Sequence, residues 1–312
     1  MPVLRVALDL PLHRLFDYRL ETASTADVGY RVRVPFGRGE RLGVIVEVCD
    51  ESDWPIEQIK EAIEILRDLP ALPADFFSLC QFASTYYQAP LGEVILQGLP
   101  KGLKRLDPPA RRKSRAKHST SATPAPDLTT EQSAAINAVD PLAGFSVHLL
   151  HGVTGSGKTE VYLRLIERTL AIGRQVLLLV PEINLTPQLE DRVRGRFPDI
   201  EVVSLHSELA EAARERNWRA AFAGDAGIVL GTRLSIFTPL PRLGLIVVDE
   251  EHDPSFKQQD GMRYSARDVA VFRAHALGIP VLLGSATPAL ESWAKAKSGR
   301  YRLLTLAERA NP

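Results

Sequence analysis

The stretch GVTGSGKT, from Gly152 to Thr159, constrains the fold of this chain more than any other feature. It follows the apolar segment FSVHLLHG and precedes a segment whose apolar residues have helical spacing. Glycines at these positions let backbone amides converge on phosphate oxygens at the start of a helix. The context of strand, loop and helix therefore predicts a phosphate-binding loop, and a plain glycine-rich turn is the weaker reading.

Every residue of this loop is a predicted contact to a nucleotide: Gly152, Val153, Thr154, Gly155, Ser156, Gly157, Lys158 and Thr159. We expect Lys158 to reach the β and γ phosphates and the Thr159 hydroxyl to occupy a ligand position of magnesium. The predicted cofactor is ATP with Mg²⁺. GTP is disfavoured because the sequence lacks an Asn-Lys-x-Asp stretch that would read guanine.

After residue 128, apolar segments alternate with amphipathic ones, and this order predicts an α/β fold. Strands that are apolar throughout are typical of a parallel sheet covered by helices on both faces. Ligands of such sheets bind at the carboxyl ends of the strands, where the unusual residues of this sequence fall. Thr129 and Gln132 have the spacing of a capping box for the helix before the first strand.

The acidic cluster DEEH directly follows the apolar segment LGLIVV. Asp249 is predicted to hold magnesium, directly or through water, and Glu250 to orient and activate the attacking water. His252 is predicted to relay toward the γ-phosphate, with a lone surface histidine as the alternative. Together with Lys158, these three are the predicted catalytic residues. A helix cap or surface feature is the plain alternative for the two acids.

Another apolar segment ends in Gly284-Ser285-Ala286-Thr287. The hydroxyls of Ser285 and Thr287 are predicted to bond to the acidic cluster and report whether the γ-phosphate is present. A simple turn explains this stretch equally well.

The N-terminal part predicts a small β-rich domain, barrel-like with helices. VLRVAL, RVRVPF and RLGVIVEV have strand patterns, and the glycines between the last two indicate a hairpin. Apolar residues at Ile59, Ile63 and Leu66, and again from Phe76 to Ala83, predict two covering helices. A basic, then polar and proline-bearing stretch separates this domain, so we place the domains at 1–105 and 128–312 with a flexible linker at 106–127.

Composition excludes some classes of protein. The net charge of the 312 residues is +0, so affinity for a polyanion must come from local clusters. The N-terminal segment contains Asp9, His13 and Arg14 where a signal peptide needs apolar residues, and no apolar run is long enough for a membrane span. We therefore expect a cytoplasmic protein without a membrane partner. Cys49 and Cys80 lie too far apart in sequence for a disulfide framework or a zinc site.

The order GVTGSGKTE, VPEINLTPQ, GTRLSIFTP, DEEH and GSATP resembles superfamily-two DNA helicases, and the longer stretches LHSEL and VVDEEHDPSFKQQDGMRYSARDVAVFRA resemble the PriA family of replication-restart helicases. The resemblance implies a RecA-like ATPase domain and a 3′-to-5′ helicase that acts on stalled or branched forks. It also implies primosome proteins and single-strand-binding protein as partners, in addition to forked and single-stranded DNA.

The same resemblance covers VALDLPLHRLFDYRL and RVRVPFGRGERLGVIVEV, which are similar to that family's domain for the 3′ end of a nascent strand. It implies a pocket for the 3′ end formed by Phe16, Asp17, Tyr18, Gly37 and Lys60. An aromatic ring can stack on a terminal base, and Asp17 can accept a hydrogen bond from a 3′ hydroxyl. Without the resemblance, Phe16 and Tyr18 are strand residues on one face of a sheet.

The segment from Pro254 to Arg267 resembles the aromatic-rich loop with which the family senses single-stranded DNA. We predict that Phe256 and Tyr264 stack on bases and that Lys257, Arg263 and Arg267 meet phosphates. The alternative is that both aromatic side chains only anchor a long loop to the domain.

The sequence also departs from the family pattern. The winged helix, the second RecA-like domain and the cysteine-rich zinc insertion of the family are not found in it, so zinc is expected only in a missing C-terminal part. A second hypothesis is therefore a catalytically passive module that binds fork DNA. A metabolite kinase is a weaker third, because it leaves DEEH and GSATP unexplained.

Overall fold

The computed structural model describes residues 1–106 and 125–310. Two compact units form, the first mainly from the N-terminal part of the chain and the second from most of the residues that follow. The predicted linker at 106–127 lies almost entirely outside the described residues. In the parts that are described, no helix has the length and apolar character needed to cross a membrane.

The N-terminal unit contains a sheet of five strands in the order β2-β1-β4-β3-β5, with every neighbouring pair antiparallel. Its apolar face forms a small core around Leu4, Val34 and Ile45. The strands are β1 (Val3–Leu8), β2 (Phe16–Arg19), β3 (Arg31–Phe36), β4 (Gly39–Cys49) and β5 (Glu64–Leu66), and the helices are α1 (Ala74–Tyr87) and α2 (Leu91–Gln97).

The predicted hairpin is confirmed as β3 and β4, where Phe36 pairs with Gly39 across a two-residue turn. Gly37 has φ of 61°, a conformation that glycine adopts without strain. The helix predicted from Ile59, Ile63 and Leu66 is wrong. Ile59 follows a short 3-10 helix, Ile63 donates its amide to the Arg33 carbonyl at 2.9 Å, and Leu66 lies in the edge strand β5, which pairs with β3. The second helix of this unit is α2.

The second unit is built on seven strands in the order β12-β6-β11-β10-β7-β9-β8, and all neighbouring pairs are parallel. The predicted parallel α/β fold is thereby confirmed. The strands are β6 (Ser146–Gly152), β7 (Gln175–Leu179), β8 (Val202–Leu205), β9 (Ile228–Gly231), β10 (Leu243–Val248), β11 (Pro280–Ser285) and β12 (Arg302–Leu306). The helices are α3 (Thr130–Ala138), α4 (Lys158–Ala171), α5 (Pro187–Arg196), α6 (Glu211–Ala223), α7 (Ala266–Leu277) and α8 (Leu290–Lys297).

The order of the central strands positions the site. Strands β6, β11 and β10 are consecutive neighbours, and their residues are almost all buried. Parallel strands end at the same edge of a sheet, so the phosphate loop after β6, the GSAT segment of β11 and the DEEH cluster after β10 lie side by side. Three segments that are far apart in sequence thus meet at one edge.

Candidate functional site

The phosphate loop connects β6 to α4, and its backbone depends on two glycines. Gly155 and Gly157 have φ of 83° and 80°, in the left-handed region that glycine occupies at little cost. Helix α4 begins at Lys158, so its unpaired amides and positive dipole end lie next to the loop. Val153, Thr154 and Gly155 are exposed, whereas Ser156 is buried and its hydroxyl has no hydrogen-bond partner among the described residues.

Gln132 forms a hydrogen bond to the phosphate loop, in addition to the capping box predicted from the sequence. The capping box is confirmed, because the Thr129 amide donates to Gln132 Oε1 at 3.0 Å and the Gln132 amide to Thr129 Oγ1 at 3.2 Å. The remaining Nε2 of Gln132 donates to the Ser156 carbonyl at 3.0 Å. A Cβ at Gly157 would lie 2.2 Å from that nitrogen, so a side chain there would displace Gln132 from the loop.

A second contact comes from the segment after β12. The Ala310 amide donates to the Gly155 carbonyl at 3.0 Å, and the Ala307 amide donates to Glu131 Oε2 at 2.8 Å. The bond from Ala310 uses a carbonyl of the phosphate loop and so does not occupy a loop amide. Short backbone contacts of this kind have no sequence signature.

Lys158 points back across the loop toward the acidic cluster. Its Nζ donates to the Gly152 carbonyl at 2.9 Å and lies 3.8 Å from Glu250 Oε1. Its side chain is 11% exposed, so a phosphate group at this position would meet a poorly hydrated ammonium. Thr159 is half-buried in the first turn of α4.

Asp249 stands at the end of β10, where its amide donates to the Leu179 carbonyl of β7 at 2.9 Å. The Tyr162 hydroxyl donates to Asp249 Oδ1 at 2.8 Å. Burial raises the pKa of the Asp249 carboxyl, although the hydrogen bond from Tyr162 acts against the shift. A carboxylate held under such conditions gains from a cation, which fits the predicted magnesium ligand.

Glu250 adopts a backbone conformation that is uncommon for a residue with a side chain. Its φ is 46°, and its amide donates to Asp249 Oδ1 at 3.0 Å. Holding a non-glycine residue in the left-handed region costs about 1–3 kcal/mol, and such strain clusters at functional sites. In this conformation the carboxylate of Glu250, the predicted base, lies beside Lys158, the predicted phosphate ligand.

The GSAT segment contacts the acidic cluster through His252. Ser285 Oγ lies 2.7 Å from His252 Nδ1, and Thr287 Oγ1 lies 3.2 Å from His252 Nε2. His252 Nδ1 is also 3.6 Å from Glu250 Oε2. The predicted contact between the hydroxyls and the cluster is therefore present, and its role in sensing phosphate stays a prediction.

The two aromatic side chains of the loop from Pro254 to Arg267 are buried, contrary to the prediction that they stack on bases. Phe256 and Tyr264 are 2% and 1% exposed, and the Tyr264 ring packs edge-on against Phe237 at 5.2 Å between centroids. Rings buried in this way present no face to a base, so the structure gives them the alternative role of anchors. At the base of this loop, the Gln258 amide donates to the Tyr264 carbonyl at 2.9 Å.

Arg267 is also placed differently from the prediction. Its Nη1 donates to Glu251 Oε2 and its Nε to Asp268 Oδ1, each at 3.1 Å, and its side chain is 16% exposed. Two carboxylates thus occupy the guanidinium that was expected to meet a phosphate. Lys257 and Arg263 are exposed, as a contact to the DNA backbone requires.

The predicted pocket for a 3′ end divides between the two faces of β2. Tyr18 is 4% exposed, lies in the core, and donates its hydroxyl to the Pro35 carbonyl at 3.1 Å. It therefore has the structural role that the sequence left open. Phe16 is half-buried, with the Phe36 ring edge-on at 5.5 Å.

The other residues of this predicted pocket are more accessible. Asp17 alternates to the opposite side of β2 from Tyr18, is half-buried, and accepts a hydrogen bond from Ser52 Oγ. The Lys60 carbonyl accepts from the Arg19 amide at 3.0 Å, which fixes this exposed lysine beside the end of β2. Gly37 is exposed, and a Cβ added to it would meet no heavy atom of the described residues within 4 Å.

Two family models match this chain. The family model described as 3′DNA-binding domain (3′BD) matches residues 5–100, and the model described as DEAD/DEAH box helicase matches residues 129–296. The replication restart protein PriA of Haemophilus influenzae is 35% identical over 383 residues, a match that covers 99% of this chain and 52% of the relative. The protein of the same name from Treponema pallidum is 35% identical and covers 99% and 47%.

Identity is higher in a shorter match. The replication restart protein PriA of Synechocystis is 54% identical over 176 residues, which covers 56% of this chain and 21% of the relative. A solved structure described as RecG bound to a three-way DNA junction is 26% identical, with a TM-score of 0.46, and covers 60% of this chain and 24% of that one. The chain spans about half the length, or less, of these curated relatives. The DEAD/DEAH box helicase model matches more than half of the residues of this chain, so the chain belongs to that family.

Proposed function

We propose that this chain is the ATP- and DNA-binding portion of a 3′-to-5′ replication-restart DNA helicase. In this proposal it recognises stalled or branched forks, binds the 3′ end of the nascent strand and couples ATP hydrolysis to unwinding and primosome assembly in the cytoplasm. The observation that carries the proposal is the meeting of the phosphate loop, the acidic cluster and the GSAT segment at the ends of three adjacent strands. The match to the 3′DNA-binding domain supports the DNA part.

The site residues fit ATP with Mg²⁺. The buried Ser156 hydroxyl lacks a partner among the described residues, two glycines hold the loop open, and a carboxylate of raised pKa faces it. Thr159 and Asp249 would hold the metal ion, and Lys158 with the loop amides would hold the phosphates. The bound metal ion supplies neutralisation of the charge that develops on the transferred phosphoryl group.

The chain's own residues then provide positioning and proton transfer. Glu250, fixed by its strained backbone, is in the proposal the group that orients water and accepts its proton. His252 links Glu250 to Ser285 and Thr287, so a change at the phosphates would be passed to the GSAT segment. This path is the proposed origin of coupling between hydrolysis and movement on DNA.

Substitution of the phosphate-loop lysine tests the nucleotide site. We expect Lys158→Ala to weaken binding of a fluorescent ATP analogue by at least about tenfold, since one charge-assisted contact contributes about 1.5–3 kcal/mol. Lys297→Ala, on the outer helix α8, serves as the matched control and should bind like the wild type. Equal affinity of Lys158→Ala and the control would rule out the phosphate-loop assignment.

End recognition is tested by the chemistry of the DNA terminus. Fluorescence anisotropy should show tighter binding of a duplex with a free recessed 3′ hydroxyl than of the same duplex with a 3′ phosphate, because Asp17 would repel the phosphate. Asp17→Asn should reduce this preference. Identical affinities for the two ends would remove the pocket from the proposal.

The alternative is a passive module that binds fork DNA through its N-terminal unit without turnover. Its DNA-binding part is supported by the match of residues 5–100 to the 3′DNA-binding domain. Primosome proteins and single-strand-binding protein are proposed partners under both functions, and a zinc insertion is proposed only for the remainder of a longer protein.

A further inference from the structure

One buried carboxylate at the site is not used by the proposed chemistry. Glu251 lies between Glu250 and His252, and its side chain is 0% exposed. Burying a charge in this way is costly unless the charge is paired and its lone pairs are satisfied. Glu251 meets both conditions, with partners for its carboxylate from two segments of the second unit.

The partners of Glu251 connect regions that have separate proposed roles. Oε2 accepts from Arg267 Nη1 at 3.1 Å and from Ser292 Oγ at 2.8 Å. Oε1 accepts from the Ala289 amide at 2.8 Å. Arg267 is the second residue of α7, at the end of the loop that starts at Pro254, whereas Ala289 and Ser292 belong to the start of α8, shortly after the GSAT segment.

The backbone of Glu251 adds a fourth connection. Its amide donates to the Gly284 carbonyl at 3.0 Å, at the first residue of the GSAT segment. A single residue is thus bonded to the loop end, the GSAT segment and α8, and its neighbours in the chain are the proposed base and the proposed relay histidine. Any displacement of one of these segments acts on a charge that has no solvent to compensate it.

The base of the loop is held by bonds on both sides and connects to Arg267. Lys257 and Ser265 form an antiparallel bridge that closes the base of the loop. Arg233 Nη1 donates to the Ser255 carbonyl at 2.7 Å and holds the first half of that base. The second half continues through Ser265, whose side chain caps α7, into Arg267. The two halves of the base are thus bonded to each other, and the second half leads directly into Arg267.

We infer that Glu251 is a positioning residue that couples DNA binding at the loop to nucleotide binding at the phosphate loop, through its ion pair with Arg267 and its hydrogen bonds to Ala289 and Ser292. This inference rests on the proposed function, because it requires that the chain binds both ligands. Coupling of two ligands is reciprocal, so it is measurable as a change in one affinity caused by the other ligand.

The experiment measures the affinity of a nonhydrolysable fluorescent ATP analogue with Mg²⁺, with and without saturating oligo-dT. For the wild type we expect DNA to change this affinity by at least about fivefold, the lower range of typical allosteric coupling. Glu251→Gln keeps the size and the acceptor oxygen but removes the charge. In this variant the change should fall to within about twofold, while each ligand alone binds within about threefold of wild type.

Two further variants keep the test interpretable. Glu251→Gln combined with Arg267→Gln replaces the ion pair by an amide pair and leaves no unpaired buried charge, so it should fold even if the single variant does not, and it should also lose the coupling. Asp268→Asn removes the other, 43% exposed carboxylate on Arg267 and should keep the coupling.

The outcomes separate the inference from the proposed function. Coupling that persists in Glu251→Gln or in the double variant overturns the inference, as does a wild type that binds both ligands independently. A wild type that binds neither the analogue nor oligo-dT overturns the proposed function itself. Loss of coupling confined to the two Glu251 variants supports the inference.

Discussion

The Tyr162 hydroxyl donates a hydrogen bond of 2.8 Å to Asp249 Oδ1 and so joins the middle of α4 to the end of β10. Tyr162 is almost fully buried, and burial together with the neighbouring Asp249 raises the pKa of its hydroxyl well above the usual 10.0. The hydroxyl is therefore a permanent donor. It fixes the proposed magnesium ligand relative to the helix that begins with Lys158 and Thr159.

The contact leaves no room for a side chain at Gly284. A Cβ on this residue would lie 1.7 Å from the Tyr162 oxygen, within a strand that has neighbours on both sides. Gly284→Ala should therefore lower the free energy of unfolding by about 1–3 kcal/mol or more, as overpacking of a core does. Chemical denaturation measures this loss. Gly39→Ala, where a Cβ meets open space, should change stability by less than about 1 kcal/mol, and an equal effect in both variants would contradict the packing account.

Asp249 predicts a dependence of stability on pH. Its pKa is raised mainly by burial, so the stability associated with its protonated form is present below the unfolded value of 3.8 and is lost as pH rises through the folded value. Asp249→Asn, which still accepts a hydrogen bond from Tyr162, should therefore be more stable than wild type at neutral pH.

A gain of about 1 kcal/mol corresponds to about 2–4 °C in Tm for a domain of this size. The gain should shrink as pH falls toward 4, which thermal unfolding across a pH series measures. Asp225→Asn, at an exposed position, should show no comparable pH-dependent gain. A gain for Asp249→Asn that is constant with pH would contradict the titration of Asp249 as its cause.

The exposed cations of the loop predict a salt dependence of DNA binding. Each phosphate contact to single-stranded DNA contributes a slope of about −0.7 to the plot of log Kobs against log salt concentration. Lys257→Ala and Arg263→Ala should each reduce the steepness of that plot by about this amount with oligo-dT. Arg300→Ala, an exposed cation away from the loop, is the control. Slopes equal to wild type in both loop variants would remove these residues from the DNA contact.

The site residues could be predicted from the sequence wherever a reactive motif directly follows an apolar strand. GVTGSGKT and DEEH each follow an apolar run, and such runs form the central parallel strands because only buried strands are apolar on both faces. The adjacency of β6, β11 and β10 then follows from the fold, not from spacing along the chain. In contrast, α8 and β12 were not predicted, since both are short and their burial depends on β6.

The directions in which the loop side chains point could not be predicted from the sequence. Phe256 and Tyr264 lie in a polar stretch, and nothing local shows whether an aromatic ring faces a ligand or the core. Arg267 pairs with Glu251 across a turn and a loop, a contact that depends on the tertiary fold. The apolar spacing of Ile59, Ile63 and Leu66 suits a helix, but pairing with β3 overrides it.

The buried rings change the choice of variant for the loop. Phe256→Ala would be the natural probe of base stacking, but truncation of a buried phenylalanine typically costs about 3–5 kcal/mol. A loss of function in that variant would report unfolding. Lys257, Arg263 and Glu251 are therefore better probes of the path from DNA to the nucleotide.

In the proposed function, one chain joins DNA binding to ATP chemistry at Lys158, Asp249 and Glu250. Its most direct test is the rate of ATP hydrolysis with Mg²⁺ in the absence and presence of single-stranded DNA, with Glu250→Gln as the inactive reference. We expect the rate to rise several-fold with DNA and to fall to background in Glu250→Gln, since loss of a general base costs about 10²–10⁴-fold. A rate that is the same with and without DNA, or that survives in Glu250→Gln, would contradict it.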